Sequence, residues 1–442
     1  MPAFRHPAQV VVAAFALAVA VGTVLLMLPV SRAGAGSAPF LTSLFTATSA
    51  VCVTGLAVVD TPTYWSGFGE AVILGLIQVG GFGIMTMASL LGLLVSRRMG
   101  LRSRLTAAAE TRSIGIGDVR TVLTGVLKVT LVFESLTAVA LSLRFLLGYD
   151  MPVGRALYHG VFHAVSSFNN AGFALYSDNL MGFVTDPWIC LPIAGAVIFG
   201  GLGFPVLFEL RRHVARPRDW SLHTKLTVWV SVALIVAGTV MVTATEWSNP
   251  GTLGPLDPAG RVLAGFFHAV MPRTAGFNSL DVGQMYDGTL VGSMILMFIG
   301  GGSASTAGGI KVTTFVVLFF VIYAEVRGES AVNAFDRRIG SRVQRQALTV
   351  ALLGIAAVVG ATFVIVEMTR LPLRDVMFEV TSAFGTTGLS TGITAELTGG
   401  AQLVLVLLMF LGRLGPITLV SALALRERPR AYQLPEGRPI IG

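Results

Sequence analysis

The chain has 442 residues, 54% of them hydrophobic and only 12% charged, with a mean hydropathy of +0.77. A soluble domain carries about 25% charged residues, so the composition excludes an ordinary soluble protein and indicates a polytopic membrane protein. The formal net charge is +8, and the two cysteines, Cys52 and Cys190, lie in different segments without metal-ligand spacing, which suggests neither a disulfide framework nor a zinc site.

The first apolar run, residues 8–29, carries no charge, is longer than a signal-peptide core and has no A-x-A cleavage site after it. It reads as a retained transmembrane helix. Runs of spanning length follow at 70–96, 119–147, 186–211, 223–246, 288–326, 343–369 and 401–425, which predicts eight helices and returns both termini to one side. The loops after the second, fourth and sixth helices, with the two termini, hold 21 of the 31 basic residues, from Arg5 through Arg97, Arg102, Arg104, Arg112, Arg211, Arg327 and Arg345 to Arg438. The positive-inside rule makes that side cytoplasmic. Topology and contact with anionic membrane lipid therefore account for the net charge, and no nucleic acid is needed.

On the opposite side each successive pair of helices is joined by an apolar stretch long enough for a half-length, re-entrant helix, followed by a glycine loop. The loops are "SAVCVTGL" (49–56), "SSFNNAGF" (166–173), "MPRTAGFN" (271–278) and "SAFGTTGLS" (382–390). Their glycines, Gly55, Gly172, Gly276 and Gly388, recur at a period near 110 residues, which makes the chain a fourfold tandem repeat. The match extends backwards: Phe45-Thr46, Phe162-His163 and Phe378-Glu379 stand nine positions before their glycine, and Phe267-His268 one position closer to its own. The boundaries expected are 8–97, 119–211, 223–326 and 343–425, with a cytoplasmic tail over 426–442.

Non-helical backbone at membrane depth costs several kcal/mol for each unpaired group and persists only inside protein or beside water. Four such loops around one axis would form rings of carbonyl oxygens able to replace the water shell of a monovalent cation, with the negative ends of four half-helices pointing inward. An enzyme is not expected, because no HExxH, GxSxG or carboxylate cluster is present; a nucleotide site is not expected either, because there is no GxxxxGK[ST] and "GGLGF" at 200–204 closes no strand. A secondary transporter with inverted repeats is the rival class, but these repeats all run the same way. His163 and His268 lack a third ligand and are expected to brace the loops; Lys128 and Glu134 suggest no role.

Two further features lie below the loops. "IGGGSASTAGGIK" (299–311) should break the sixth helix, each interior glycine costing about 1 kcal/mol. Arg413 falls near the centre of the last predicted helix, where a charge costs about 2.5–3.5 kcal/mol unless it faces water or a partner. It is expected to face the pore.

The strings "SAVCVTGLAVVDT", "FHAVSSFNNAGF", "FHAVMPRTAGFNSLD" and "SAFGTTGLSTG", in this order and spacing, resemble the four selectivity-filter loops of the Trk/Ktr/HKT superfamily of potassium transporters. Within it the chain is most similar to the KtrB-type membrane subunits of bacterial Ktr systems. The resemblance implies an all-α polytopic fold of four helix, pore half-helix, filter loop, helix repeats around a central pore, in the bacterial plasma membrane. It implies a potassium filter built from Val53, Thr54 and Gly55, Asn170, Ala171 and Gly172, Thr274, Ala275 and Gly276, and Thr386, Thr387 and Gly388. Glycine at 55, where serine would point to sodium, favours potassium as the transported ion; sodium enters as a candidate activator, no organic cofactor is expected, and a sodium or weakly selective monovalent cation transporter of the same fold is the alternative.

The resemblance also implies a gate. Its loop would run from Gly300 through Gly301, Gly302, Ser303, Ser305, Thr306 and Gly308 to Gly309, with Lys311 at its lower edge. Arg413 would be the electrostatic plug, held by loop carbonyls or by hydroxyls such as Ser303, Ser305 and Thr306. Arg273, a cation beside a cation path, is expected to turn behind the filter, with Glu379 as the candidate partner. Regulation by a cytosolic nucleotide-binding ring of KtrA type is implied, docking on the basic loops near 97–120 and 327–345, as is a homodimer.

Overall fold

The computed structural model describes residues 7–98 and 119–415. Arg5, Arg102, Arg104, Arg112 and the predicted tail 426–442 lie outside the described residues, as does the span beyond Gly415. The fold is that of an all-α membrane transporter; the described residues also hold a two-residue antiparallel pairing of Asn333–Ala334 with Arg337–Arg338 and an isolated bridge between Arg32 and Trp65.

One arrangement of helices recurs four times. In the first, α1 (Pro7–Met27) is followed by the short α2 (Phe40–Val51), a loop, and α3 (Gly67–Arg98); in the second, α4 (Val119–Gly148), the short α5 (Val153–Phe168), then α6 (Pro187–Leu202) and α7 (Phe204–His213). The third comprises α8 (Leu222–Glu246), the short α9 (Pro258–Val270), α10 (Asp287–Ile299) and α11 (Val312–Val326), and the fourth α12 (Ser341–Thr369), the short α13 (Leu373–Gly385) and α14 (Gly399–Leu414).

Proline opens every short helix: Pro39, Pro152 and Pro372 stand just before α2, α5 and α13, and Pro258 is the first residue of α9. Its fixed φ suits a helix start, and the N–H it lacks would have had no helical partner there. The phenylalanines noted in the repeat, Phe45, Phe162, Phe267 and Phe378, are all fully buried, so the short helices form the centre of the molecule. The outward faces of the long helices expose Leu17, Leu136, Val240 and Val359 instead, a surface suited to hydrocarbon rather than water.

Of the described helices, four are long and apolar enough to cross a membrane unbroken: Gln9–Met27, Val122–Gly148, Leu222–Glu246 and Ser341–Thr369. The single span expected at 186–211 is instead two helices meeting at 102°. Gly203, with φ +96° and followed closely by Pro205, makes that bend. The break expected in the sixth segment is present between Ile299 and Val312.

Candidate functional site

Each short helix delivers its C-terminal end to the middle of the molecule, and there the chain turns through two left-handed residues two positions apart. These are Val53 and Gly55, Asn170 and Gly172, Thr274 and Gly276, and Thr386 and Gly388. Left-handed backbone costs a residue with a Cβ about 1–2 kcal/mol, so Val53, Thr274 and Thr386 hold conformations that the surroundings impose.

The four loops close into a ring. A Cβ added to Gly55 would lie 2.4 Å from the Ala171 carbonyl oxygen; added to Gly172, 2.7 Å from that of Ala275; added to Gly276, 2.3 Å from that of Thr387; and added to Gly388, 2.2 Å from that of Thr54. The order 55, 172, 276, 388 thus returns to its start, each glycine pressed on the carbonyl that precedes the next. The twelve residues predicted for the filter are brought together in this ring, all buried except Gly55 and Gly388, which are partly exposed.

Hydrogen bonds hold the loops onto their helices. Thr54, Ala171 and Thr387 donate backbone N–H to the carbonyls of Ser49, Ser166 and Ser382 at 2.7, 2.7 and 2.8 Å. The hydroxyls of Ser49 and Ser382 also accept the N–H of Gly55 and Gly388 at 3.1 Å each, and Ser166 Oγ donates to Phe173 O at 2.8 Å. In the third loop, one residue shorter, Ala275 reaches Met271 O at 3.0 Å and the serine is missing. These serines stand six positions before the glycine in three repeats, a spacing visible in the sequence itself. The buried hydroxyls of Thr54, Thr274, Thr386 and Thr387 have no hydrogen-bond partner.

Behind the second loop, Asn169 Nδ2 donates to Gln78 Oε1 at 2.8 Å, Glu134 Oε1 at 3.0 Å and Val165 O at 2.9 Å. Glu134 therefore joins α3, α4 and a loop, a role that no spacing along the chain reveals. His163 donates from Nδ1 to His159 O at 2.7 Å and accepts the Leu175 N–H just beyond the second loop at 3.3 Å, whereas His268 Nε2 lies 3.2 Å from Ser293 Oγ and so joins α9 to α10 rather than to a loop. Arg273 turns away from the ring as expected, but its partner is Ser231 of α8, through Oγ at 2.8 Å and the carbonyl at 3.3 Å. Glu379 instead accepts from Thr394, because α13 presents it to the outer loop that follows the ring.

Below the ring the segment 300–311 folds as a strap. Gly300, Ala304, Gly309 and Lys311 adopt positive φ. Arg413 donates to the carbonyls of Thr306 and, at 3.2 Å, Gly80. The expected holders Ser303 and Ser305 do not reach it: Ser303 Oγ pairs with Thr313 Oγ1 at 3.0 Å, and Ser305 Oγ donates to Gly302 O at 2.6 Å. Nor does Arg413 sit in mid-helix. It occupies the last described turn of α14, where a cation is favoured by the helix dipole. Lys311 curls back, its ammonium donating to the carbonyls of Ala307 and Gly308. The strap thus carries two bound cationic side chains directly beneath a ring of carbonyls, and Thr306 Oγ1 reaches up to Asn170 Oδ1 of that ring at 3.1 Å.

The family model for the cation transport protein TrkH matches residues 1–430. The chain is 42% identical to the "Ktr system potassium uptake protein B" of Bacillus subtilis, covering 99% of this chain and 97% of that protein. It is 37% identical to the protein of the same name from Vibrio alginolyticus, over 95% of this chain and 91% of the other, and 35% identical to the "Potassium/sodium uptake protein NtpJ" of Enterococcus hirae, over 99% and 97%. In three dimensions it superposes on the potassium transporter TrkH of Vibrio parahaemolyticus with a TM-score of 0.75 at 17% identity, covering 96% of this chain and 86% of that one.

Proposed function

Since the chain belongs to the TrkH family of cation transport proteins, a family of ion transporters and not of enzymes, we propose that it carries potassium into the cell through the ring of its four loops. The observation that carries this reading is the cyclic packing of Gly55, Gly172, Gly276 and Gly388 against the carbonyls of Ala171, Ala275, Thr387 and Thr54. The four repeats, 8–97, 119–211, 223–326 and 343–425, each supply one quarter of the filter. The carbonyls of Val53, Thr54, Asn170, Ala171, Thr274, Ala275, Thr386 and Thr387 take the place of the ion's water shell. The four short helices direct their negative ends at the same place, which favours a cation and rejects an anion.

The strap from Gly300 to Gly309, with Lys311, and the plug Arg413 form the gate. Two positive side chains on strap carbonyls raise the electrostatic barrier to a cation leaving the filter. Opening moves the strap and Arg413 aside together, and the membrane potential, worth about 2.3 kcal/mol per charge per 100 mV, draws potassium inward. A cytosolic nucleotide-binding subunit works the gate. The basic segment 327–345 is its docking surface among the described residues; the other surface expected, 97–120, lies almost wholly outside them. The protein acts as a homodimer in the bacterial plasma membrane with both termini in the cytoplasm.

A second reading, a sodium or weakly selective monovalent cation transporter, draws support from the four unlike loop sequences and from the relative named for both ions. Expression in a potassium-uptake-deficient bacterium at low external potassium, with and without a nucleotide-binding partner, tests the proposal. Growth that depends on this chain supports potassium uptake; growth that does not overturns it.

A further inference from the structure

The strap has a counterpart in the second repeat. At the 102° bend between α6 and α7, three backbone hydrogen bonds join the two segments. Gly302 N donates to Gly201 O at 2.7 Å, Thr306 N to Gly200 O at 3.3 Å, and Phe204 N to Ala304 O at 3.2 Å. The approach is too close for side chains: a Cβ on Gly203 would stand 2.5 Å from Ser303 O, and one on Gly302 2.3 Å from Leu202 O. Thr306, which holds Arg413 through its carbonyl, is itself one of the three donors.

From this geometry we infer that the broken helix at Gly200–Phe204 is the second half of the gate, with Gly203 and Phe204 as positioning residues and α7 as the lever that moves the strap. The inference rests on the gate reading given above. α7 is short and stiffly mounted: Glu209 accepts from Ser221 N at 2.6 Å, Ser221 Oγ at 2.7 Å and Thr224 Oγ1 at 2.5 Å, which ties it to the start of α8. Its far end, with Arg211 and Arg212, and the segment that follows, with Arg216 and Arg218, are exposed on the arginine-rich side. A displacement there reaches Phe204, Ala304 and Thr306 through backbone contacts, and Arg413 through its guanidinium on the Thr306 carbonyl.

The joint also has somewhere to go. A cavity with room for one water-sized guest is lined by Val197, Ile198, Gly201, Val270, Arg273 and Gly301. Parting the strap from the bend would leave the carbonyls of Gly200 and Gly201 unpaired at membrane depth, which is costly. Arg273 lines this cavity with an Nε–H that has no partner, and so supplies a donor beside the freed carbonyls.

The test is potassium flux through purified, reconstituted protein carrying Gly203→Ala, Gly302→Ala or Arg413→Ala, each checked for folding. Gly203→Ala is expected to raise basal flux roughly fivefold, the factor that one backbone hydrogen bond of ordinary net strength sets on a two-state equilibrium, while the potassium-to-sodium ratio stays unchanged. General damage would lower flux instead. If Gly302→Ala and Arg413→Ala raise flux and well-folded Gly203→Ala does not, the lever is wrong and the gate survives. If Arg413→Ala also leaves flux at the wild-type level, the gate reading itself fails. Should Gly203→Ala not fold, nitroxide labels at Val214→Cys, the residue that caps the end of α7, and Leu147→Cys on α4 decide by the distance between them, compared with and without Arg413→Ala. A shift supports the lever, and an unmoved distance overturns it.

Discussion

At Gly55 both the space and the backbone forbid a side chain: the Ala171 oxygen would stand 2.4 Å from its Cβ, and φ is +92°. Serine there must strain the loop by about 1–2 kcal/mol or push the neighbouring carbonyl outward. Gly55→Ser is therefore expected to lower the potassium-to-sodium uptake ratio by about tenfold, the factor that corresponds to about 1.4 kcal/mol; an unchanged ratio would remove Gly55 from the filter. Ser49→Ala and Ser382→Ala take away the acceptors of the next N–H groups and should each weaken discrimination by a smaller factor, set by about 1 kcal/mol. Competition between the two ions on reconstituted protein reads both. At Arg413 the charge is bound by two carbonyls, and hydrogen bonds to charged groups are worth about 1.5–3 kcal/mol. Arg413→Ala should raise partner-independent flux by at least about tenfold, measured as potassium uptake without the cytosolic subunit. The glycines were legible in the sequence because steric need permits little else. The partners of Arg273 and Glu379 were not, because Ser231 comes from a helix 42 residues earlier in the chain and Thr394 from a loop beyond the ring.

Among the elements, the half-helices were legible because each is set off by proline at one end and a glycine loop at the other. The bend between α6 and α7 was not, although Gly203 and Pro205 stand in plain view. Hydropathy averaged over a window carries an apolar run straight through a corner, and only the 102° angle shows that the run turns. The strap between α10 and α11 was read correctly as a break for the opposite reason: its glycines and hydroxyls are too many to average away. Deleting Ser303 to Thr306 should abolish the seat of Arg413 and raise flux in the same way as Arg413→Ala, without adding to it when the two changes are combined, since both act on one contact. An additive double variant would separate strap from plug. Glu246, at the end of α8, is a further element-scale anchor that the sequence does not announce. Fully buried, it accepts from Asn249 at 2.6 Å, Thr252 at 2.7 Å and Tyr286 N at 3.0 Å, and also from Thr289. Glu246→Ala is expected to cost about 3 kcal/mol by orphaning these donors, seen as a lower thermal midpoint in detergent, and Glu246→Gln to recover part of it.

For the whole molecule the governing fact is that four unequal segments of one chain build one closed ring. Tandem repetition at a period near 110 residues announces the ring in the sequence, because each repeat must place its glycine against the next. What the repetition hides is the division of labour: the second and third repeats break their outgoing helices at Gly203 and at Gly300 to Lys311, and those two breaks meet beneath the ring. The first and fourth repeats supply Gly80 and Arg413 to the same place. On the proposed function selection and closure are stacked along one axis, with the ring selecting potassium. Ion competition on the purified, reconstituted protein measures this most directly, with potassium uptake followed as external sodium is raised. If the ring selects potassium, uptake is saturable and an equal concentration of sodium barely depresses it in the wild type but depresses it strongly in Gly55→Ser. Uptake that sodium suppresses equally in both proteins would contradict it.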